Sequence, residues 1–137
     1  MHPADLNYSP QHIWLKNEGE GEYRLGITYR YQQQIKNVVF LELPSVGARL
    51  SNGEAFGAIE SSKISTDLIS PITGIVTTVN TAITEKPGMV NKDPYGEGWL
   101  ITVKSTDTKV LQSLWSSSQY LAATADESDR GECQPQN

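Results

Sequence analysis

One lysine stands between two β-rich stretches, where its side chain could undergo covalent chemistry. The segment AIESSKISTDLISPITGIV, residues 58–76, places Lys63 in a polar turn directly after two serines. A primary amine on a protruding turn is accessible to an acylating enzyme, and its four-carbon stem extends the reach of any attached group. Glu60 and Asp67 flank the turn, and Gly74 lies where the next strand must either turn tightly or allow another backbone to approach closely. The residues alone leave two interpretations open, an attachment site and an ordinary solvated lysine.

Other catalytic and metal-binding arrangements are not indicated. The two histidines, His2 and His12, are too few and too badly spaced for a zinc site or a catalytic triad. No apolar surroundings are predicted that would activate Lys63 as a catalytic nucleophile. The single cysteine, Cys133, lies in a polar tail, where an unreactive thiol is the expected state. We therefore expect a non-catalytic protein without a metal.

Length and charge indicate one acidic domain. The chain has 137 residues and a net charge of -5, which argues against binding nucleic acid through a basic face. No apolar run approaches the roughly 20 residues of a membrane span. The N-terminal ten residues lack the charged-then-apolar pattern of a signal peptide. We expect a cytoplasmic protein without nucleic-acid or membrane partners.

Short β-rich stretches separated by turns must position the lysine. A first hairpin is predicted over residues 13–28, with the glycines of EGEG at 18–21 forming its turn. Asn52-Gly53 is the strongest short hairpin signal in the chain, and residues 31–37 predict a short helical turn. Many short strands at close spacing predict a mainly β sandwich or barrel. Its predicted core includes Val39, Leu41, Ile59, Val76 and Ile101.

A helix is predicted only near the C-terminus. Ser105 or Thr106 can cap it, and apolar residues recur at helical spacing afterwards. That stripe consists of Val110, Leu111, Leu114 and Trp115. The predicted organisation is an irregular leader at residues 1–11, one domain at 12–121, and a disordered acidic tail at 122–137.

Four segments of the chain resemble the glycine cleavage system H protein family. They are HIWLK, VVFLELPSVGARL, GAIESSKISTDLISPITGIVTTVN and NKDPYGEGWLITVK, in the family's order and spacing from about His12 to Tyr120. The resemblance implies a lipoyl-domain-like flattened barrel or sandwich of two half-sheets, with a short C-terminal helix. It also implies that lipoate is amide-linked to Lys63 on an exposed hairpin. Glu60 and Gly74 match the family's determinants for the modifying enzyme, and Asp67 joins them as an expected recognition residue.

The resemblance implies a carrier whose partners are larger enzymes. A lipoate ligase or lipoyl transferase attaches the arm. In glycine cleavage, the arm takes an aminomethyl group from a PLP-dependent glycine decarboxylase to a tetrahydrofolate-dependent aminomethyltransferase, and a dihydrolipoyl dehydrogenase reoxidises it. Biotin carriers share the hairpin lysine but resemble Met-Lys-Met at the turn. Here Ser62 and Ile64 flank Lys63, which disfavours biotin.

The segment TYRYQQQIKN, residues 28–37, departs from the family pattern. Tyr29 replaces an acidic residue, and Ile35-Lys36-Asn37 replaces Leu-Gly-Asp. Together with Arg30, this shifts the segment toward aromatic and basic character, so Tyr29, Arg30 and Lys36 are predicted to select the partner. One branch of H-like lipoate-binding proteins serves bacterial sulfur oxidation with a heterodisulfide-reductase-like complex. The altered segment favours that branch slightly, with the glycine cleavage H protein as the alternative and a lipoate-donating carrier as a third possibility.

Overall fold

Two antiparallel sheets pack around one core in the computed structural model, which describes residues 5–105 and 114–124. The larger sheet has the strand order β1-β2-β3-β9-β8-β5, and the smaller has the order β4-β6-β7. The strands are β1 (Asn7–Tyr8), β2 (Ile13–Gly19), β3 (Glu22–Ile27), β4 (Val38–Glu42), β5 (Arg49–Leu50), β6 (Ala55–Ser61), β7 (Ser65–Ile69), β8 (Gly74–Val79) and β9 (Ile101–Lys104). The helices among the described residues are α1 (Tyr29–Ile35), α2 (Ala82–Glu85), α3 (Met89–Lys92) and α4 (Ser117–Ala123). The predicted mainly β sandwich of two sheets is confirmed, and over the described ranges the sheets do not close into a barrel.

The first predicted hairpin is confirmed. Strands β2 and β3 pair antiparallel, with Ile13 opposite Ile27. Gly19 and Gly21 both have positive φ, at 97° and 80°, which a glycine adopts at little cost. The EGEG sequence therefore supplies the backbone freedom that this tight turn requires.

The Asn52-Gly53 signal correctly predicts a turn but wrongly predicts a hairpin. Gly53 has φ 90°, and its N–H donates to the Ser70 carbonyl at 2.7 Å. The strands on either side of the turn belong to different sheets, since Leu50 pairs with Gly74 while β6 pairs with β4 and β7. The turn therefore carries the chain from one sheet to the other.

Four of the five predicted core residues named above are buried, and Val39 is not. Leu41, Ile59, Val76 and Ile101 are at most 4% exposed, whereas Val39 is 55% exposed. The cause is a β-bulge in β4: the pairing steps two residues along β4 for one along β6. This extra residue interrupts the in–out alternation of β4 and leaves Val39 exposed.

The two ends of the domain meet beside β2. The predicted irregular leader is not wholly irregular, because β1 pairs with β2. Most of the predicted C-terminal helix falls at 106–113, outside the described residues. Leu114 and Trp115 are not helical, and Trp115 instead forms a β-bridge with Tyr8. The helix that the structure describes, α4, starts after a capping box of Ser116 and Gln119 and passes the predicted domain end at 121.

The predicted helical turn after β3 is confirmed as α1. Thr28 caps its N-terminus, with the hydroxyl accepting the Tyr31 N–H at 3.1 Å. Lys36 ends it with φ 70° and ψ -153°. That region of backbone conformation is occupied almost only by glycine and costs another residue roughly 1–3 kcal/mol. Lys36 takes the place of the glycine in the Leu-Gly-Asp pattern of the family that the sequence resembles.

The strain at Lys36 predicts a stabilising substitution. Lys36→Gly should raise the free energy of unfolding by about 1 kcal/mol, because glycine adopts this conformation without a Cβ clash. Thermal or denaturant unfolding measures the change. Lys36→Ala is the matched control, since it removes the same charge but keeps the strain. Equal stability of the glycine and alanine variants would contradict the assignment of strain.

Gly74 allows β8 to pack closely against β9. A Cβ at this position would collide with the Lys104 carbonyl oxygen and lie 2.7 Å from Val103 Cγ1. By contrast, a Cβ at Gly88 would meet nothing within 4 Å, and its φ is -62°. The absence of a side chain at Gly74 is therefore a packing requirement of the larger sheet.

This contact predicts different outcomes for two alanine substitutions. Gly74→Ala should lower the free energy of unfolding by roughly 1–3 kcal/mol, because strand backbones must move apart to admit the methyl group. Gly88→Ala should leave it unchanged or raise it slightly. Chemical unfolding of both variants beside the wild-type chain measures the difference. A Gly74→Ala protein as stable as wild type would show that the sheet adapts without cost.

Candidate functional site

Lys63 occupies the tip of the β6–β7 hairpin, and a serine side chain fixes the turn beneath it. The buried Ser61 hydroxyl accepts the N–H groups of Lys63 at 3.1 Å and of Ile64 at 3.0 Å. The Ser61 N–H donates to the Ile64 carbonyl at 2.8 Å. The Lys63 side chain is exposed. The sequence therefore forms an ordered turn that presents a single amine outward.

The turn is attached to the connection between α1 and β4. The Ser62 N–H donates to the Asn37 carbonyl at 2.8 Å. Asn91 on α3 holds the same connection: its Oδ1 accepts the Val38 N–H at 2.7 Å, and its Nδ2 donates to the Lys36 carbonyl at 2.8 Å. Backbone groups of the turn and of the α1–β4 connection are thus paired with each other and with the Asn91 side chain, which limits how the lysine can move relative to the domain.

The free amine of Lys63 lies near the C-terminal end of α1. Its Nζ donates to the Gln34 carbonyl at 3.4 Å, where helix carbonyls carry partial negative charge. A polar cleft of about 450 Å³ adjoins this connection. It is lined by Tyr29, Gln32, Gln33, Lys36, Asn37 and Asn91. A group attached to the amine therefore has an open, polar surface beside it.

The predicted recognition residues fall on two different sheets. Glu60 and Asp67 are exposed on β6 and β7, the strands that form the lysine hairpin. Gly74 is in the larger sheet, opposite Leu50 and packed against β9. Glu60 and Asp67 are therefore exposed on the hairpin that carries Lys63, whereas the position of Gly74 gives it a role in packing.

Two of the three predicted partner-selecting residues line the cleft. Tyr29 and Lys36 do so, and the Tyr29 N–H donates to the Tyr95 hydroxyl at 3.0 Å. Arg30 does not line it. The Arg30 Nε is buried and has no hydrogen-bond partner among the described residues.

Burial raises the pKa of Tyr95 to about 12, against the weaker opposing effects of the Tyr29 N–H and Arg30. The Tyr95 phenol is therefore neutral at physiological pH.

The sequence does not predict the side chains whose hydrogen bonds hold α1 and the α1–β4 connection in place. Asn91 carries no functional signal of its own in the sequence, although it lies at the start of the NKDPYGEGWL motif. A second set joins α4 to α1: the Tyr120 hydroxyl lies 2.6 Å from His12 Nδ1 and 2.7 Å from the Thr28 hydroxyl. His12 also stacks on Tyr31, with ring centroids 5.0 Å apart. No single-residue signal identifies these contacts, because they join positions up to 108 residues apart.

Over the part of the chain that the structure describes, no group of three His, Cys, Asp or Glu side chains could hold a metal ion. None of the helices at 5–105 or 114–124 is long and apolar enough to cross a membrane.

A family model, curated relatives and a solved structure all indicate the same family. The model of the family described as "Glycine cleavage H-protein" matches residues 6–127. A glycine cleavage system H protein of Mycobacterium avium (strain 104) is 46% identical over 111 residues, which cover 81% of this chain and 84% of that protein. The corresponding protein of Escherichia coli (strain K12 / DH10B) is 39% identical over 125 residues, covering 91% and 97%.

A solved structure is similar throughout. The crystal structure of a glycine cleavage system H protein from Mycobacterium marinum superposes with a TM-score of 0.82 at 35% sequence identity, covering 90% of this chain and 98% of that chain. These comparisons do not support the sulfur-oxidation branch that the sequence slightly favoured. They support the alternative, the glycine cleavage H protein. The chain belongs to the glycine cleavage H-protein family, whose members carry lipoate covalently on a lysine.

Proposed function

We propose that this chain is the lipoyl carrier of a glycine cleavage system, with lipoate amide-linked to Lys63. The observation that carries the proposal is the Lys63 turn itself, an exposed amine on a hairpin whose backbone is fixed by Ser61 and Ser62. When bound, lipoate supplies a dithiolane that accepts and releases the transferred group. The hydrogen bonds of Ser61 and Ser62 fix the backbone from which the arm would extend. A polar cleft adjoins the α1–β4 connection next to this turn.

The partners follow from this role. The chain would meet a glycine decarboxylase, an aminomethyltransferase and a dihydrolipoyl dehydrogenase in turn, after a lipoate ligase or lipoyl transferase has loaded it. The chain contributes tethering, since an arm anchored on a docked domain raises the local concentration of its reactive end at each active site. Catalysis belongs to the partners in this proposal.

Tyr29, Arg30 and Lys36 are proposed to adjust which partner binds well. The support is positional: Tyr29 and Lys36 line the cleft beside the lysine turn, and Lys36 is exposed. An aromatic and a basic residue at a binding rim change association rates and reject partners whose surfaces match acidic positions. In this proposal, the changes at residues 28–37 adjust the partner preference of a glycine cleavage carrier.

Lys63 should be the only lipoylation site. After reaction with a purified lipoate ligase, intact-mass and peptide analysis should show one lipoyl group, on Lys63, and none in Lys63→Arg. Lys92→Arg is the matched control, because it changes another exposed lysine and should remain fully modified. Lys63→Ala should unfold within about 0.5 kcal/mol of wild type, since an exposed tip contributes little to stability. Modification that persists in Lys63→Arg would exclude this site.

The lipoylated chain should support glycine–bicarbonate exchange by a glycine decarboxylase, above the background given by Lys63→Arg. Changing Tyr29 to Asp and Ile35-Lys36-Asn37 to Leu-Gly-Asp should raise the exchange rate several-fold, because it restores the family's acidic rim. Radiolabelled bicarbonate incorporation measures both effects. A fully lipoylated wild-type chain without exchange activity would rule out glycine cleavage while leaving the carrier role intact. An unchanged rate in the restored variant would remove the role of Tyr29 and Lys36.

A further inference from the structure

Lys36 carries a long side chain at a backbone position suited to glycine. Its φ of 70° and ψ of -153° lie in a region that is occupied almost only by glycine. The backbone is held there on both sides, because the Lys36 N–H donates to the Gln32 carbonyl at 3.1 Å and the Lys36 carbonyl accepts from Asn91 Nδ2 at 2.8 Å. Strained residues of this kind cluster at binding and catalytic sites, so the strain indicates a function for the Lys36 side chain.

Lys36 is the charged residue of the polar cleft beside the lysine turn. The cleft has a volume of about 450 Å³, and the six residues that line it include one lysine and no carboxylate. Lys36 is exposed, and no salt bridge to it is found within residues 5–105 or 114–124. The stretch at 29–37 contains no Asp or Glu. The ammonium group therefore gives the cleft an uncompensated positive charge.

An amide side chain adds a hydrogen-bond donor to the same cleft. Asn91 Nδ2 donates to Gln32 Oε1 at 3.1 Å, so the Gln32 amide oxygen is occupied and its NH2 group remains to donate elsewhere. Asn91 is itself held in place, since its Oδ1 accepts the Val38 N–H at 2.7 Å. A cleft that contains a cation and an amide donor suits an anionic ligand.

The lipoyl arm would start next to this cleft. Lys63 Nζ donates to the Gln34 carbonyl at 3.4 Å, and Gln33 and Lys36, which lie on either side of Gln34 in the chain, both line the cleft. The end of the arm is uncharged while its two sulfur atoms form a disulfide ring. Once the ring is reduced, the arm ends in two thiols, which can ionise to thiolates. A positively charged cleft therefore attracts the reduced arm and has no charge to bind on the oxidised one.

We propose that Lys36 binds the thiolate of the reduced lipoyl arm in the polar cleft. This inference rests on the proposed function and adds a residue that acts on the arm after its attachment. The chemical step is the loss of one thiol proton to solvent. The Lys36 ammonium favours the ionised sulfur, so more thiolate is present near neutral pH. With glycine at this position, as in the family pattern, the cleft would lack the charge and the effect.

The test measures the thiols of the full-length lipoylated chain after chemical reduction. Every protein carries Cys133→Ser, so that the arm holds the only thiols. The thiolate fraction is measured across pH from its ultraviolet absorbance and from the rate of alkylation by iodoacetamide. Lys36→Ala should raise the apparent pKa of the thiols and slow alkylation near neutral pH about threefold at low salt. The difference should shrink at high salt.

Two further variants separate the charge of Lys36 from its backbone strain. Lys36→Arg keeps the charge and should retain the wild-type alkylation profile, whereas Lys36→Gly removes both charge and strain and should behave like Lys36→Ala. Lys16→Ala is the matched control for loss of an exposed lysine, because Lys16 lies on β2 in the larger sheet. In NMR spectra, reduction of the arm should shift the amide signals of residues 29–37 in the wild type and much less in Lys36→Ala.

The outcomes separate this inference from the proposed function. Equal alkylation profiles for the wild type and Lys36→Ala would overturn the site. A slowing that Lys36→Arg shares, or that Lys36→Gly lacks, would assign the effect to the backbone and also overturn it. Intact mass measured before reduction shows whether Lys63 carries lipoate, and an unmodified chain would instead overturn the proposed function. A Lys36-dependent thiol pKa in a lipoylated chain without glycine exchange would support the site and exclude the pathway.

Discussion

The hydrogen bond from the Ser62 N–H to the Asn37 carbonyl is the contact on which the site depends. It joins the lysine turn to the α1–β4 connection at 2.8 Å. Without it, the turn would keep only its own hydrogen bonds and the pairing of β6 with β4 and β7, and nothing would join the Lys63 turn directly to Asn37. Asn91 makes the bond possible, because its side chain satisfies the Val38 N–H and the Lys36 carbonyl on either side of Asn37. The position of the Lys63 turn is therefore set by hydrogen bonds that reach back to the Asn91 side chain on α3.

The two sheets have different roles in positioning the Lys63 turn. The smaller sheet provides the hairpin that carries Lys63, while in the larger sheet β8 packs closely against β9 at Gly74. Leu6, Tyr8, Trp14 and Tyr120 form a second buried cluster, and the Tyr120 hydroxyl lies within hydrogen-bond distance of the Thr28 hydroxyl at the start of α1. The C-terminal helix thereby helps to fix the N-terminal end of the helix beside the lysine.

Much of the fold could be predicted from sequence, because local signals and pairing agree. The EGEG turn, the helical turn at 31–37 and the hairpin at Lys63 are each set by neighbouring residues. The failures came where distant pairing overrides local pattern. Asn52-Gly53 makes a turn, but its flanking strands find better partners in separate sheets. Val39 lies in a β-rich stretch between Val38 and Leu41 with other predicted core residues, yet a one-residue bulge against β6 exposes it.

The candidate site shows the same distinction. Lys63 with Glu60 and Asp67 could be found from spacing along one hairpin. Asn91 and Tyr120 could not, since their contacts cross more than fifty residues of sequence. The resemblance to a known family correctly identified a lipoyl carrier, while the changed residues at 28–37 pulled the pathway toward sulfur oxidation without support from the comparisons.

The most direct measurement is a two-dimensional ¹H–¹⁵N NMR spectrum of the full chain before and after enzymatic lipoylation. If Lys63 is the attachment point on a turn held by the α1–β4 connection, amide shifts should change at residues 61–64 and 34–37, while the strands of the larger sheet keep their positions. A spectrum that is unchanged after treatment, or whose changes centre on another lysine, would contradict the account.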